Sequence, residues 1–142
     1  ALSDFNGETE PNICGKNPLE SGNHNISPSK KRRDCIIKCY VRRLQDLVRE
    51  EGLPYPDLIK LDVEGAEMNV LKGMKDLLTS RKISIICEVH KIKIKQFGYS
   101  VMDLENFLDE CGFTLKTLQS ERFGDDTTFV YAEHCDQSED GF

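Results

Sequence analysis

From residue 58 to residue 132, short apolar runs alternate with stretches in which apolar residues return every three or four positions. Leu58-Ile59-Lys60-Leu61-Asp62 is a brief apolar run that ends in an acid, and it reads as a buried strand with a functional carboxyl end. Val70, Leu71, Met74, Leu77 and Leu78 then fall at i, i+1, i+4, i+7 and i+8, one apolar stripe on a helix of about four turns. Ile83-Ser84-Ile85-Ile86-Cys87-Glu88-Val89 is almost continuously apolar, the pattern of a strand covered on both faces. Leu104, Phe107, Leu108 and Cys111 mark a second amphipathic helix, with Ser100 and Asp103 as its capping box and Gly112 as its stop. Residues 113–118 and 127–132 close the pattern as two strands joined by a polar turn at Gly124-Asp125-Asp126. Strands alternating with helices predict an α/β layered sheet, mostly parallel, and the short final connection predicts an antiparallel edge.

The upstream third has a different texture. All five prolines lie within the first 56 residues, and residues 6–34 are rich in Asn, Gly, Ser, Pro and charge, so this stretch reads as a long loop or an insertion. Residues 35–41 are apolar and β-branched, as a strand should be, and Leu44, Leu47 and Val48 follow at helical spacing until Gly52. An acidic tail, frayed by its composition, begins at Glu133.

At 142 residues the chain is long enough for one modest domain and too short for two. Its 19 Lys+Arg against 25 Asp+Glu, a net charge of −6, argue against a general nucleic-acid binder, which needs excess cations to displace counterions from phosphates. No apolar run approaches the ~20 residues that cross a bilayer, and no signal-peptide pattern opens the chain, so a soluble, cytoplasmic protein is expected. Of the six cysteines, Cys87 and Cys111 sit in apolar patterns and read as buried free thiols. Cys14, His24, Cys35 and Cys39 lack a Cys-x-x-Cys pair and are not assigned to zinc. Lys30-Lys31-Arg32-Arg33 reads as a solvated turn.

Ligands of open α/β sheets bind beyond the carboxyl ends of strands. Two strands end there in reactive groups. The first delivers Asp62-Val63-Glu64-Gly65-Ala66-Glu67; the second delivers Glu88-Val89-His90, whose i, i+2 spacing places Glu88 and His90 on one face. If the strands are neighbours, these groups converge on one rim. Carboxylates with an imidazole act as general base and acid, or as metal ligands. Glu64 and Glu67 also suit the positive end of a helix dipole, and Gly65 suits a tight turn that lets the backbone approach a neighbour.

The block from Asp57 to Glu67 with Val70-Leu71-Lys72-Gly73, and later Ile86-Cys87-Glu88-Val89-His90, closely resembles the FkbM-type methyltransferases. Ala1-Leu2-Ser3-Asp4-Phe5-Asn6-Gly7-Glu8 is similar to the segment that follows the third sheet strand in that family. The resemblance implies a class I, Rossmann-like fold that uses S-adenosylmethionine to methylate hydroxyl groups of sugars, polyketides or related metabolites. On that basis Asp62, Glu64, Glu88 and His90 are the catalytic candidates, with Asp62, Glu64 or His90 deprotonating the acceptor. Ser3, Asp4 and Asp62 would lie near the cofactor, and no metal is assigned. The family's glycine-rich loop has no counterpart, since none of the ten glycines forms a G-x-G pair. Together with a first residue that is not methionine, this implies the C-terminal part of a methyltransferase domain (residues 1–132), lacking the first two strands and inactive alone.

Two other readings compete. A non-catalytic α/β remnant would serve as an interaction module, with an exposed sheet edge open to self-association. An Asp62/Glu64/Glu67 and Glu88 magnesium site would serve phosphoryl transfer, although no phosphate-cradling glycine loop accompanies it.

Overall fold

The computed structural model describes residues 1–9, 12–13, 24–25, 38–118 and 126–135. Its centre is a four-stranded sheet of β5 (Leu58–Leu61), β6 (Ser84–His90), β7 (Phe113–Leu118) and β8 (Thr127–His134), in the order β5-β6-β8-β7. β5 and β6 run parallel, with Leu61 opposite Cys87. β8 inserts between β6 and β7 and is antiparallel to both, pairing Cys87 with Val130 and Phe113 with His134. The expectation of a mostly parallel sheet is therefore corrected. A short connection fixes β7 and β8 as antiparallel, but it says nothing about which of the two returns beside β6.

Two helices, α2 (Glu67–Lys72) and α3 (Lys75–Ser80), link β5 to β6. The single helix of about four turns expected to carry the stripe from Val70 to Leu78 is thus two short ones, broken at Gly73-Met74. The break has a steric cause. Ser3 of the N-terminal segment packs so closely on Gly73 that an added Cβ would lie 1.9 Å from the Ser3 carbonyl oxygen. The apolar stripe survives the break, and Leu71, Met74 and Leu78 are fully buried with Ile83, Ile85, Leu104 and Leu108. Helices α4 (Lys93–Gln96) and α5 (Val101–Glu110) link β6 to β7. The capping box of α5 forms as expected, with Ser100 and Asp103 exchanging side-chain and backbone bonds.

Burial departs from the sequence reading on two strands. β6 buries Ile85, Cys87 and Val89 on one face and leaves Ser84, Ile86, Glu88 and His90 half-buried on the other. β5 buries only Leu61, and Leu58 is 56% exposed. On β5 this follows from position, because it lies at the sheet edge with a single strand neighbour among the described residues; β6 is flanked by β5 and β8, and its half-buried residues all lie on the face opposite Ile85, Cys87 and Val89.

Upstream, β1 (Gly7–Thr9) pairs antiparallel with β4 (Cys39–Val41), and β2 (Asn12–Ile13) with β3 (His24–Asn25). Within the stretch read as a loop, the described residues 7–9, 12–13 and 24–25 thus form short ladders, because backbone pairing needs only extended segments and little apolar surface. Helix α1 (Leu44–Glu51) ends at Gly52 as expected, in a left-handed conformation. Its buried Asp46 ties the layers together by accepting hydrogen bonds from Asn6 at 2.7 Å, Arg43 at 2.6 Å and Arg49 at 2.9 Å. The strand β8 runs to His134, two residues past the expected strand end at residue 132, and there Glu133 pairs with Lys116 and the Cys135 N–H reaches the Gly112 carbonyl. Cys14, Cys35, the Lys30–Arg33 turn, Gly124 and the rest of the tail lie outside the described residues. No described helix is long and apolar enough to cross a membrane.

Candidate active site at the carboxyl ends of two parallel strands

Because Leu61 pairs with Cys87, the chain leaves the ladder at Asp62 beside Glu88. The turn that follows is tight. Glu64 has φ 55°, Gly65 has φ +105°, and a Cβ on Gly65 would lie 2.8 Å from the backbone carbon of Lys93. Left-handed backbone is costly for residues with a Cβ, so Gly65 is where the turn and the contact with α4 are both made possible. The expectation of a close backbone approach at Gly65 is met, with α4 as the neighbour.

The four catalytic candidates converge. His90 Nε2 lies 3.3 Å from Glu64 Oε2 and 3.8 Å from Glu88 Oε1. Asp62, Glu88 and His90 each offer a donor atom, and these atoms lie within 4.8 Å of one another. Lys60 pairs with Asp62 at 3.1 Å, and Lys93 pairs with Glu64. The site therefore faces solvent with carboxylates, one imidazole and two ammonium groups that hold the carboxylates in place.

Two members were not singled out as catalytic candidates from the sequence. Lys93 lies between the Glu88-Val89-His90 strand end and the Ser100 capping box, outside any assigned pattern, and the packing of α4 on Gly65 brings it to Glu64. Glu67 fits a helix dipole by sequence, yet it is fully buried, accepts a 2.8 Å hydrogen bond from the Gly65 N–H, and places Oε1 3.5 Å from His90 Nδ1. Its Oε2 and His90 Nδ1 make no hydrogen bond in this state. Burial holds the Glu67 carboxyl above the usual carboxylate range, against the lowering effects of the backbone N–H groups of Gly65 and Glu67 and of nearby His90. The same crowding raises the buried Cys87 thiol, first by desolvation and then through the charges of Glu67, Asp62 and Glu88. Cys87 is an inert thiol, as the apolar pattern implied.

A raised native pKa means that the folded chain holds this proton more tightly than the unfolded one. Glu67 therefore stabilises the fold fully below the unfolded glutamate value of about 4.3, and that contribution is lost as pH rises through the folded value. Glu67→Gln keeps the acceptor for Gly65 without the charge. The stability of this variant relative to the parent, read from urea midpoints, is expected to climb with pH across that window; a flat difference would contradict the burial effect.

Ser3 and Asp4 are not in this cluster. They pack at the Gly73 end of α2, away from Glu67 at its start. Ser3 is buried, donates to Asp4 Oδ1 at 3.1 Å, and helps line a cleft of about 400 Å³ with Phe5, Ala66, Asn69, Gln96 and Phe97. Asn69 Oδ1 is buried without a hydrogen-bond partner.

A strand-end cluster of acids and histidine beside a cleft is compatible with several chemistries, and comparison with known proteins narrows them. The methyltransferase FkbM domain matches residues 4–115 of the chain. The chain belongs to the FkbM methyltransferase family. Among relatives of this FkbM-family protein, the 31-O-demethyl-FK506 methyltransferase FkbM of Streptomyces tacrolimicus is 38% identical over 56 residues, covering 39% of this chain and 22% of that protein. The hexuronic acid methyltransferase AglP of Haloferax volcanii is 32% identical over 77 residues, covering 54% of this chain and 29% of AglP. The 2-O-methyltransferase NoeI of Sinorhizobium fredii is 45% identical over 51 residues, covering 36% of this chain and 21% of NoeI. The FkbM-family chain thus spans less than a third of each of these relatives. No solved structure matches it significantly.

Proposed function

We propose that this FkbM-family chain supplies the acceptor side of an S-adenosylmethionine-dependent O-methyltransferase whose substrate is a hydroxyl on a sugar, polyketide or related small molecule. The observation that carries the reading is the convergence of Asp62, Glu88 and His90 at the carboxyl ends of two parallel strands. The names of AglP and NoeI, a hexuronic acid methyltransferase and a 2-O-methyltransferase, favour a sugar-like acceptor.

The residues present fit part of the donor. The cleft combines an aromatic ring, Phe5, with the buried and unpartnered Asn69 Oδ1 and with Ser3, a set suited to one face and one edge of a purine. The methionine end has no G-x-G cradle in these residues. S-adenosylmethionine supplies an electrophilic methyl group on a sulfonium. The protein's task is to hold an acceptor oxygen in line with that methyl and to take its proton. Asp62 and Glu88 are placed to accept hydrogen bonds from acceptor hydroxyls, and His90 Nε2 to take the proton. Glu67 sits behind the ring, where a small closure of its 3.5 Å separation would fix a proton on Nδ1 and leave Nε2 free to accept. Positioning of this kind supplies much of the acceleration in bimolecular group transfer.

The test is methyl transfer by the full-length protein from S-adenosylmethionine to a panel of monosaccharides, uronic acids and hydroxylated macrolides, read by mass spectrometry. A product heavier by one methylene on oxygen is expected. Donor binding by calorimetry with no transfer to any acceptor class would overturn the assignment. The outer edge of β5, without a strand neighbour among the described residues, supports self-association as a further property, to be read from sedimentation.

A further inference from the structure

We infer that Asp62, Glu88 and His90 form a binding site for a divalent transition ion such as Mn²⁺ or Zn²⁺. Two carboxylates and one imidazole are a mixed oxygen and nitrogen donor set, which suits such ions better than Mg²⁺ or Ca²⁺. Metal–donor distances of about 2.1 Å put neighbouring donors about 3 Å apart and opposite ones about 4.2 Å apart. The three donor atoms already lie within 4.8 Å of one another, and His90 Nε2 and Glu88 Oε1 are 3.8 Å apart. Small side-chain rotations therefore close the site.

The second observation is independent of the ligand set. Ligating histidines almost always turn their other ring nitrogen to a carboxylate, carbonyl or water, which fixes the tautomer and orients the ring. Glu67 stands in that position. It is fully buried, its Oε2 has no partner, and its Oε1 faces His90 Nδ1 at 3.5 Å while Nε2 points to the other carboxylates. A fully buried carboxyl with an unpartnered oxygen is costly to keep. An ion on Nε2 would draw the Nδ1 proton toward Glu67 Oε1 and give the buried, unpartnered Nδ1 its hydrogen bond. Of the cations paired with these carboxylates, Lys93 engages Glu64, which is outside the proposed ligand set, and Lys60 pairs with Asp62 at 3.1 Å, a contact that an ion would have to displace or share.

The use of such an ion in methyl transfer rests on the reading above; its affinity for the site does not. With Nε2 on the ion, His90 could not also take the acceptor proton, so in the reading above that role would pass to Glu64, and the chemistry the ion would supply is acidification of the acceptor hydroxyl.

The experiment is titration of the metal-free full-length protein with Mn²⁺, followed by electron paramagnetic resonance, and with Zn²⁺ by calorimetry. Binding of one ion per chain is expected, with a nitrogen coupling on Mn²⁺ that disappears in His90→Ala. Asp62→Asn and Glu88→Gln should each weaken affinity at least tenfold, and Glu67→Gln by about 10- to 100-fold although it is not a ligand. No binding up to millimolar ion, or binding without nitrogen coupling that all these variants leave unchanged, would overturn the site. The two readings separate cleanly. Full transfer activity in chelator by a protein that binds no ion removes the metal and leaves the methyltransferase assignment. Ion binding with this variant pattern but no transfer to any acceptor does the reverse.

Discussion

Replacing His90 with alanine, or Asp62 with asparagine, in the full-length protein is expected to lower kcat for methyl transfer by about 10²- to 10⁴-fold, the usual worth of a positioned proton-transfer group. His90 is half-buried at the end of β6, with Nε2 facing Glu64 and Glu88, so its loss removes the imidazole from the centre of the cluster. Asp62→Asn preserves shape and removes one charge at an exposed strand end, so folding should be spared. The KM for the donor should change little in either variant, because Ser3 and Asn69 line the separate cleft assigned to the donor. Activity within about twofold of the parent for both variants, a negligible change in barrier, would remove these residues from the mechanism.

Gly73→Ala is expected to destabilise the chain by about 3 kcal/mol, at the upper end of overpacking costs. Most glycine-to-alanine changes in or beside helices stabilise, by removing unfolded-chain freedom. Here φ is −69° and alanine would be conformationally acceptable, yet the new methyl would stand 1.9 Å from the Ser3 oxygen and 2.7 Å from its carbonyl carbon. Those are backbone atoms, and the segment carrying them is pinned by the Ser3 N–H to the Arg42 carbonyl at 3.1 Å and by the Arg42 N–H to the Ala1 carbonyl at 2.9 Å. The N-terminal segment must therefore lift off. Faster amide exchange at Ser3 and Arg42, together with a lower urea midpoint, would show it; an unchanged midpoint would mean that the contact is not as close as described.

The elements were largely legible. The capping box at Ser100, the stop at Gly52 and the strands β6 and β7 follow from local rules that act over a few residues. The break at Gly73 was hidden because its cause lies about seventy residues away, in a segment whose packing no periodicity encodes. The half-exposed residues of β5 and β6 were hidden for a related reason: an apolar run reports that a side chain favours burial, and only the packing of the whole chain decides which face of the sheet is covered.

The site divides along the same line. Sequence alone named the candidate groups, because Asp62 ends an apolar run and Glu88 and His90 share a face by strict two-residue alternation. The family block around Asp62 pointed to the FkbM methyltransferase family, since such a match depends on residue identity and needs no geometry. Only the tertiary structure decided that β5 and β6 are neighbours in a register that sets Asp62 beside Glu88, that Lys93 reaches Glu64, and that Glu67 is a buried support for His90. Each of those depends on contacts between segments far apart in the chain. Such contacts are settled by packing the whole core, which no local pattern of residues contains.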